Sequence, residues 1–138
     1  YYKHIINATK LLMKKVNSSP KDYDYVIFHQ PNGKFPRRVA KRLGFSKDQL
    51  QNSLLVDHIG NTYSGATLLS LAHILDNAKP GQRILLTSYG SGSGSDSFDI
   101  TITDKINEIK KPKPVKSFID NKEYIDYSKY LKLSGAIE

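Results

Sequence analysis

One histidine stands where a short apolar run gives way to a turn. Residues 25–28 (YVIF) are rich in β-branched and aromatic side chains and predict a buried strand, and His29 opens the turn that follows. Open α/β sheets bind their ligands beyond the carboxyl ends of the strands, which makes His29 a candidate catalytic residue. A lone histidine is also commonly a core-edge residue whose nitrogens are satisfied by neighbours, and the sequence leaves this alternative open.

A positively charged stripe follows the histidine turn. Lys34, Arg37, Arg38 and Lys41 recur at spacings of three and four residues, which places them on one face of a helix predicted over about residues 32–43. No acidic residue interrupts the stripe. Because phosphate groups bind near helix N-termini, this face suits a phosphorylated ligand or a nucleic-acid backbone. The alternative is an ordinary solvated helix face.

A polar segment flanked by glycines carries the next candidate. Asn61 lies in residues 60–65 (GNTYSG), ahead of another predicted helix. Asparagine is a preferred residue at helix N-caps, so Asn61 can simply cap this helix. Its side-chain amide can equally donate a hydrogen bond to a substrate carbonyl oxygen. The sequence does not separate the two roles.

A glycine- and serine-rich loop spans residues 88–95 (SYGSGSGS). Glycines allow the backbone to approach a ligand closely and to point its amides at an anionic oxygen, which makes Gly90, Ser91 and Gly92 candidate binding residues. The alternative is a flexible hairpin loop. The segment does not match a nucleotide-binding P-loop, because no Gly-Lys-Ser/Thr ends it.

Alternating strands and helices must position these candidates. Apolar and β-branched runs predict strands over residues 25–28, 54–56, 83–88 and 98–102. Helical spacing predicts helices over residues 1–16, 32–43, 47–51, 66–77 and 117–132. The apolar stripe predicted for the first helix consists of Ile5, Ala8, Leu12 and Val16. Nearly every side chain of the 66–77 helix is apolar or small, which predicts that it is buried on all sides. The element order indicates an α/β domain.

Composition bounds the organisation of the chain. Its 138 residues, 38% of them hydrophobic, form one domain or half of a larger one. We expect an α/β body at 1–104, a Lys- and Pro-rich linker at 105–116 and a helical tail at 117–138. The chain opens inside a predicted helix without a capping residue, which indicates a missing upstream segment.

Charge and cysteine content exclude several classes of site. There is no cysteine, so the chain has no disulfide, no thiolate metal site and no cysteine nucleophile of its own. Its four histidines are too scattered to predict a metal centre. The net charge of +8 indicates an anionic partner, although no nucleic-acid-binding motif accompanies it. No apolar run could span a membrane, and we expect a cytoplasmic protein.

The candidate motifs, taken in order, resemble the thiolase superfamily and, within it, the archaeal type of hydroxymethylglutaryl-CoA synthase. The resemblance covers nearly the whole chain. It rests on residues 26–36 (VIFHQPNGKFP), 60–65 (GNTYSG), 88–92 (SYGSG), 101–104 (TITD) and 121–127 (NKEYIDY). A thiolase fold consists of two similar α/β halves, and the resemblance implies that this chain holds most of the second half, with a mixed sheet and a buried central helix.

The resemblance implies a condensation of acetyl-CoA with acetoacetyl-CoA in the mevalonate route. In such enzymes a cysteine is acetylated, a glutamate handles the acetyl-methyl proton, and the enolate attacks the ketone of the second substrate. His29 and Asn61 match the family residues that hold the ketone oxygen. Such donors stabilise the alkoxide that forms there.

Further residues are implied for substrate binding. Backbone amides around Gly90, Ser91 and Gly92 would bind the acetyl thioester oxygen. Lys34 follows a family position placed for the CoA phosphates, and Arg37 and Arg38 come after it on the same helix. CoA thioesters enter as substrates, and we expect neither a resident cofactor nor a metal.

The implied partners follow from what this chain does not contain. The cysteine and the glutamate belong to an N-terminal region without a counterpart here, so we expect a remaining N-terminal half of the synthase. The family also implies a homodimer and association with an acetoacetyl-CoA thiolase and a small scaffold protein of OB-fold, zinc-ribbon type. Two rivals remain: an enzyme like ketoacyl-carrier-protein synthase III, whose basic face would meet an acidic carrier protein, and a non-catalytic nucleic-acid-binding module.

Overall fold

A mixed three-stranded sheet forms the centre of the molecule. The computed structural model describes residues 1–90, 92–109 and 113–137. Across that part of the chain the strand order is β1-β2-β3, with β1 parallel to β2 and β2 antiparallel to β3. The strands are β1 (Tyr25–Phe28), β2 (Arg83–Thr87) and β3 (Ser97–Thr101). The predicted α/β class with a mixed sheet is confirmed.

Helices surround the sheet and connect its strands. The structure contains α1 (Tyr2–Lys15), α2 (Lys34–Leu43), α3 (Lys47–Gln51), α4 (Val56–Ile59), α5 (Ala66–Leu75), α6 (Val115–Asp120) and α7 (Tyr127–Leu133). Short 3₁₀ turns occupy Pro20–Asp22, Tyr63–Gly65 and Asp104–Asn107. The parallel pairing of β1 with β2 requires a long crossover, which α2 to α5 supply.

Two apolar cores cover the two faces of the sheet. Val26 and Phe28 of β1 pack with residues of α1, α2 and α3, whereas Ile27 packs with Ile84 and Leu86 of β2 and with α5. Successive strand residues point to opposite faces, so an uninterrupted apolar run such as 25–28 is what a strand covered on both sides requires. The candidate residue His29 therefore follows a strand that is packed on both faces.

The buried face of α1 differs from the predicted one. The structure buries Ile5, Thr9 and Met13, while Val16, at the end of the predicted stripe, is 36% exposed. Thr9 is tolerated inside because its hydroxyl hydrogen-bonds the hydroxyl of Thr87 at 2.8 Å. Because the polar residue Thr9 is buried, the interior face of α1 differs from the face that apolar spacing alone indicates.

Helix α5 is buried on one side only within this chain. Ala66, Thr67, Ser70 and Ile74 face the interior, whereas Leu68 is 65% exposed. The sheet covers a single side of the helix, so the predicted burial on every side is not met by the described residues.

The strand predicted at 54–56 is wrong. Leu54 and Leu55 are buried, but they lie in turns, where the Leu55 N–H donates to the Ser53 carbonyl at 3.0 Å. Val56 begins α4, and its N–H donates to the side chain of Gln30 at 3.0 Å. The Gln30 side chain therefore bonds the Val56 N–H, which in a strand would donate to a neighbouring strand.

The C-terminal region contains two short helices rather than one. Helix α6 starts at Val115, whose N–H donates to Asp76 Oδ2 at 2.7 Å, and α7 begins only after Asp126 accepts a hydrogen bond from Lys129 N–H at 2.8 Å. Residues 110–112 of the predicted linker lie outside the described residues, and the division of the chain at 104 and 116 stays a prediction. No helix in the described ranges is both long and apolar enough to cross a membrane.

Candidate functional site

His29 lies at the carboxyl end of β1, as predicted. Its backbone N–H donates to the Thr87 carbonyl at 3.1 Å, which extends the pairing of β1 with β2 by one residue. The histidine is 8% exposed, and its ring centroid lies 6.3 Å from that of Tyr1 and 6.1 Å from that of Tyr89, which are themselves 5.5 Å apart. The Tyr1 hydroxyl also donates to the His29 carbonyl oxygen. The three rings therefore form one aromatic cluster at the end of β1.

The His29 ring carries unused hydrogen-bonding capacity. Neither ring nitrogen bonds any of the residues that the structure describes, although the surrounding strand end is fully paired. Burial lowers the pKa of His29 below its ordinary value. The imidazole is therefore neutral at pH 7, with one nitrogen that donates and one that accepts.

The two tyrosines were missed by the sequence analysis. Tyr89 could have been found, because β1 and β2 are parallel neighbours and Tyr89 follows β2 as His29 follows β1. Residues at the carboxyl ends of adjacent parallel strands meet at one edge of the sheet. Tyr1 follows no strand, so nothing in the sequence pointed to it. Burial, followed by the charge of Tyr2, raises the pKa of Tyr1, so the Tyr1 hydroxyl remains a donor.

Asn61 lies in an exposed turn after α4. Its Oδ1 accepts from the Tyr63 N–H at 2.8 Å, which fixes the turn, whereas the N-cap of α5 is Gly65. The suggestion that Asn61 caps α5 is therefore wrong. Its Nδ2 donates to no described residue, so this amide can still donate to a ligand. His29 and Asn61 are not hydrogen-bonded to each other.

Gln30 connects the strand end of His29 with the segment that leads to Asn61, and no local pattern predicts this connection. The residue is 2% exposed, and its Oε1 accepts from the N–H of Val56, the first residue of α4. Helix α4 leads through Gly60 to Asn61. The segment that carries Asn61 is thus tied to the strand end that carries His29.

The start of α2 borders an open cavity of about 500 Å³. Asn32 Oδ1 accepts from the N–H groups of Lys34 and Phe35 at 2.9 and 3.2 Å, which satisfies the first backbone donors of the helix. The remaining residues of the lining are Gly33, Lys34, Arg37 and Asp57. Lys34 is exposed at the mouth of this cavity, where it can reach an anionic ligand.

Arg37 is paired rather than free. Its guanidinium binds both carboxylate oxygens of Asp57 from α4 and also donates to the Gly33 carbonyl at 2.7 Å. The hydrogen bond to Asp57 raises the pKa of Arg37, and the same bond lowers the pKa of Asp57. A Cβ at Gly33 would collide with the ends of the Asp57 and Arg37 side chains, so a larger residue there requires the ion pair to shift. Asp57 of α4 therefore neutralises one charge of the positively charged stripe, while Arg38 and Lys41 stay exposed.

The glycine-rich loop uses part of its backbone internally. The Gly90 N–H donates to the Gly94 carbonyl at 3.0 Å, so this amide is occupied. Gly92 has a φ of 93°, a left-handed conformation that favours glycine, and its N–H donates to no described residue. Ser91 lies outside the described residues. No group of His, Asp or Glu side chains in the described ranges has the arrangement of a metal site.

Comparison with known proteins identifies a family model and solved structures that match this chain. Residues 13–101 match the family model of the 3-oxoacyl-[acyl-carrier-protein (ACP)] synthase III C-terminal domain. The solved structures that resemble it include a hydroxymethylglutaryl synthase of the curacin pathway in complex with holo donor-ACP (TM-score 0.71, 22% identity, 92% of this chain and 35% of that one). Another is the 3-oxoacyl-[ACP] synthase III of Aquifex aeolicus (TM-score 0.68, 20% identity, 73% and 33%). The thiolase-like fold is confirmed.

The chain belongs to the family of 3-oxoacyl-[ACP] synthase III C-terminal domains. Curated relatives named hydroxymethylglutaryl-CoA synthase match it over its whole length. The protein from Methanocaldococcus jannaschii is 55% identical over 139 residues, and that from Thermoplasma acidophilum is 51% identical over 139 residues. These alignments cover 100% and 99% of this chain but 40% of each relative, so the chain spans under half the length of the relatives it matches.

Proposed function

We propose that this chain is the acceptor-binding part of a hydroxymethylglutaryl-CoA synthase, which condenses acetyl-CoA with acetoacetyl-CoA. The observation that carries the proposal is identity of 48–55% over the whole chain to enzymes of that name. The geometry supports it, because a buried, neutral histidine with unused nitrogens ends a strand at the edge of the sheet.

His29 would act on the ketone oxygen of the acetoacetyl group. As the carbanion of the acetyl group attacks the ketone carbon, the carbonyl electron pair moves to the oxygen. A neutral imidazole donates a hydrogen bond to this developing alkoxide, and the low dielectric around a buried ring strengthens that bond. Tyr1 and Tyr89 hold the ring by contact and leave both nitrogens for the substrate.

Asn61 would supply the second donor. Its Oδ1 accepts from the Tyr63 N–H, and its Nδ2, in an exposed turn, donates to no described residue. Two donors on one oxygen hold the ketone in a single orientation for attack. We assign the acetyl thioester oxygen to the loop at Gly90, Ser91 and Gly92. There the Gly92 amide is the better donor, because the Gly90 amide is already bonded.

Lys34 would bind the phosphates of CoA at the start of α2. The exposed ammonium group favours an anion, whereas the first backbone N–H groups of the helix are already bonded to Asn32. Arg38 lies one turn further along on the exposed side. Arg37 would contribute less, since Asp57 neutralises it. CoA thioesters enter this scheme as substrates, and it requires no metal or resident cofactor.

The catalytic cysteine and glutamate would come from an N-terminal half of the synthase. This chain has no cysteine and spans 40% of its relatives. We further propose a cytoplasmic homodimer in the mevalonate route, in a multienzyme complex with an acetoacetyl-CoA thiolase and a scaffold protein of OB-fold, zinc-ribbon type. The exposed positive face of α2 supports an acidic partner. Co-purification of the complete synthase with these proteins tests the complex, and a monomer that elutes alone would contradict it.

Product analysis of the complete polypeptide tests the function. Labelled acetyl-CoA is supplied with acetoacetyl-CoA or with a malonyl thioester, and the products are separated by mass. We expect hydroxymethylglutaryl-CoA from the first pair and no condensation with the second. Inactivity with acetoacetyl-CoA under conditions in which acetyl-CoA is bound would contradict the proposal.

A second candidate is a ketoacyl-carrier-protein synthase III-like enzyme. The family model that matches residues 13–101 favours it, because it describes the C-terminal domain of that enzyme. In this case the positive face would meet an acidic carrier protein, and the malonyl thioester would be the productive partner. A basic nucleic-acid-binding module is a third candidate, which salt-dependent binding of nucleic acid without any binding of CoA would show in a separate binding measurement.

A further inference from the structure

The side-chain amide of Gln30 is buried and hydrogen-bonded through both of its polar atoms. Nε2 donates to the Ser53 carbonyl oxygen and to Ser70 Oγ, the latter at 2.8 Å. Oε1 accepts from the Val56 N–H at 3.0 Å. The Val56 N–H can only donate and the Ser53 carbonyl can only accept, so these partners fix which way the amide points.

The three partners belong to three different segments. Ser53 lies in the turn after α3, Val56 is the first residue of α4, and Ser70 lies in α5. Ser70 Oγ also lies 2.8 Å from the Ser53 carbonyl and 2.9 Å from the Ala66 carbonyl, which closes the cluster. A single side chain therefore joins the end of β1 to two helices and a turn.

Gln30 adjoins one candidate catalytic residue and leads to the other. His29 is its neighbour along the chain. Val56 opens the four-residue helix α4, after which Gly60 and Asn61 follow directly. The connection from His29 to Asn61 consequently runs through one hydrogen bond and a single helical turn.

We propose that Gln30 is a positioning residue that sets the distance between His29 and Asn61, and with it the placement of both donors on the ketone oxygen. The proposal rests on the function proposed above. Misplacement of a reacting group by about 1 Å lowers a rate by roughly 100-fold, so a small displacement of either segment has a measurable effect.

Gln49 provides a matched control at the opposite end of β1. Its Nε2 donates to the carbonyls of Pro20 and Tyr23 at 2.7 and 2.6 Å, and its Oε1 accepts from the Ser46 N–H at 2.8 Å. This is the same arrangement of two donated bonds and one accepted bond, far from His29 along the strand. A substitution at Gln49 therefore reports the general effect of losing such a cluster.

The test compares Gln30→Met and Gln49→Met in the complete synthase. Methionine keeps the length of the side chain and removes its hydrogen bonds. We expect both variants to lower stability. Only Gln30→Met should lower kcat/KM for acetoacetyl-CoA, by roughly 10- to 100-fold, measured per folded molecule. Acetylation of the cysteine by acetyl-CoA should remain near the wild-type rate in both. Equal condensation by the two variants would overturn the proposal.

A double-mutant cycle with Asn61→Ala separates positioning from general damage. If Gln30 acts by placing Asn61, its removal should cost much less once Asn61 is already truncated. Fully additive losses would show that Gln30 and Asn61 act independently, which contradicts the proposal.

Gln30→Glu keeps the proposal testable if Gln30→Met does not fold. A glutamic acid that is protonated can donate one hydrogen bond and accept another, whereas its carboxylate can donate none. We expect the condensation rate of Gln30→Glu, relative to wild type at each pH, to rise as the pH is lowered. A ratio that does not change with pH would overturn the assignment.

Nuclear magnetic resonance titration of the imidazole gives a readout that does not depend on activity. If Gln30 holds the strand end in place, Gln30→Met should admit water and move the His29 pKa towards its ordinary value, while Gln49→Met should leave it unchanged. An unchanged His29 pKa in Gln30→Met would count against the proposal. A wild-type enzyme that does not condense acetoacetyl-CoA would instead overturn the proposed function, and the titration would still decide the role of Gln30.

Discussion

The two ends of strand β1 are fastened alike but differ in what they leave unbonded. A buried or half-buried glutamine closes each end, Gln49 near Tyr23 and Gln30 beside His29, and each donates two hydrogen bonds and accepts one. What lies around the two glutamines is different. The end at Tyr23 is saturated with partners, whereas the end at His29 presents unused nitrogens.

The saturated end is built around Arg83. Its guanidinium donates to both carboxylate oxygens of Asp99, at 2.8 and 2.6 Å, and lies 4.8 Å from the ring centroid of Tyr23. Its backbone exchanges hydrogen bonds with Asp24 at 2.7 and 2.9 Å. Groups paired in this way contribute to stability and have little capacity left for a ligand.

At the other end, the side chain of His29 is held by ring contacts alone. Tyr1 and Tyr89 pack against the imidazole without bonding its nitrogens. Ring nitrogens without a partner among the described residues are available to a ligand. The comparison therefore assigns stability to one end of β1 and binding to the other.

The largest expected effect is on the saturated end. Arg83→Met leaves the Asp99 carboxylate, whose side chain is 16% exposed, without its partner. Loss of a hydrogen-bonded charge of this kind lowers the free energy of unfolding by about 2 kcal/mol. Thermal or urea unfolding measures it, with the exposed Lys79→Met as control. Condensation per folded molecule should be unchanged, and a loss of condensation would show that the two ends are not separate.

A smaller effect is expected at the end that carries His29. Tyr89→Leu removes one of the two rings that hold the imidazole, so His29 samples more orientations and condensation falls by roughly 10-fold. Steady-state kinetics with acetoacetyl-CoA measures it. The control is Tyr124→Leu, because that ring is 83% exposed in the tail. Equal rates for both variants would show that the ring contact is not needed.

A few-fold effect is expected at the start of α2. Asp57→Asn removes the carboxylate that neutralises Arg37, so CoA should bind roughly threefold more tightly at low salt and without difference at high salt. Isothermal titration calorimetry measures the affinity. Asp48→Asn is the control, since that exposed carboxylate bonds none of the residues described in α2 or elsewhere. Weaker binding of CoA by Asp57→Asn would place the phosphates elsewhere.

The smallest effect is on the pH dependence of stability. Because burial lowers the pKa of His29 in the fold, the unfolded chain binds this proton first as the pH falls. Its contribution to stability is complete above the unfolded pKa, near 6.5, and declines as the pH drops below it. The pKa of Asp57 is lowered by Arg37, so its contribution is lost only at more acidic pH.

Urea unfolding between pH 5 and 8, in the wild type and in His29→Gln, tests the contribution of His29 to the pH dependence of stability. We expect the wild type to lose stability on the acidic side relative to the variant. Parallel profiles for the two proteins would show that the histidine is not shifted by the fold.

Local patterns predicted the supporting elements well. The apolar run at 25–28, the helix that ends before Gly44 and the alternation through 98–102 each correspond to an element of the structure. In these cases the period of the pattern matches the environment, with burial on both faces of a strand or on one face of a helix. The placement of His29 at the end of a strand followed from the same reasoning.

The failures involve partners that are distant in sequence. Residues 54–56 look like a strand, but the Val56 N–H is taken by a side chain 26 residues earlier. Arg37 looks free within its own helix, but Asp57 arrives from α4. No local pattern encodes such contacts, and they depend on how the segments pack together. The hydrogen bonds of Gln30 could not be predicted from the sequence for the same reason.

The role of His29 is tested most directly in the complete synthase, where the two half-reactions of His29→Ala are measured separately. We expect cysteine acetylation to stay close to wild type, while the KM for acetoacetyl-CoA rises by about 10-fold or more because the ketone oxygen loses its buried donor. His58→Ala, at an exposed position on α4, should match the wild type in both steps. Equal loss of acetylation and condensation in His29→Ala would show that His29 does not bind the ketone oxygen.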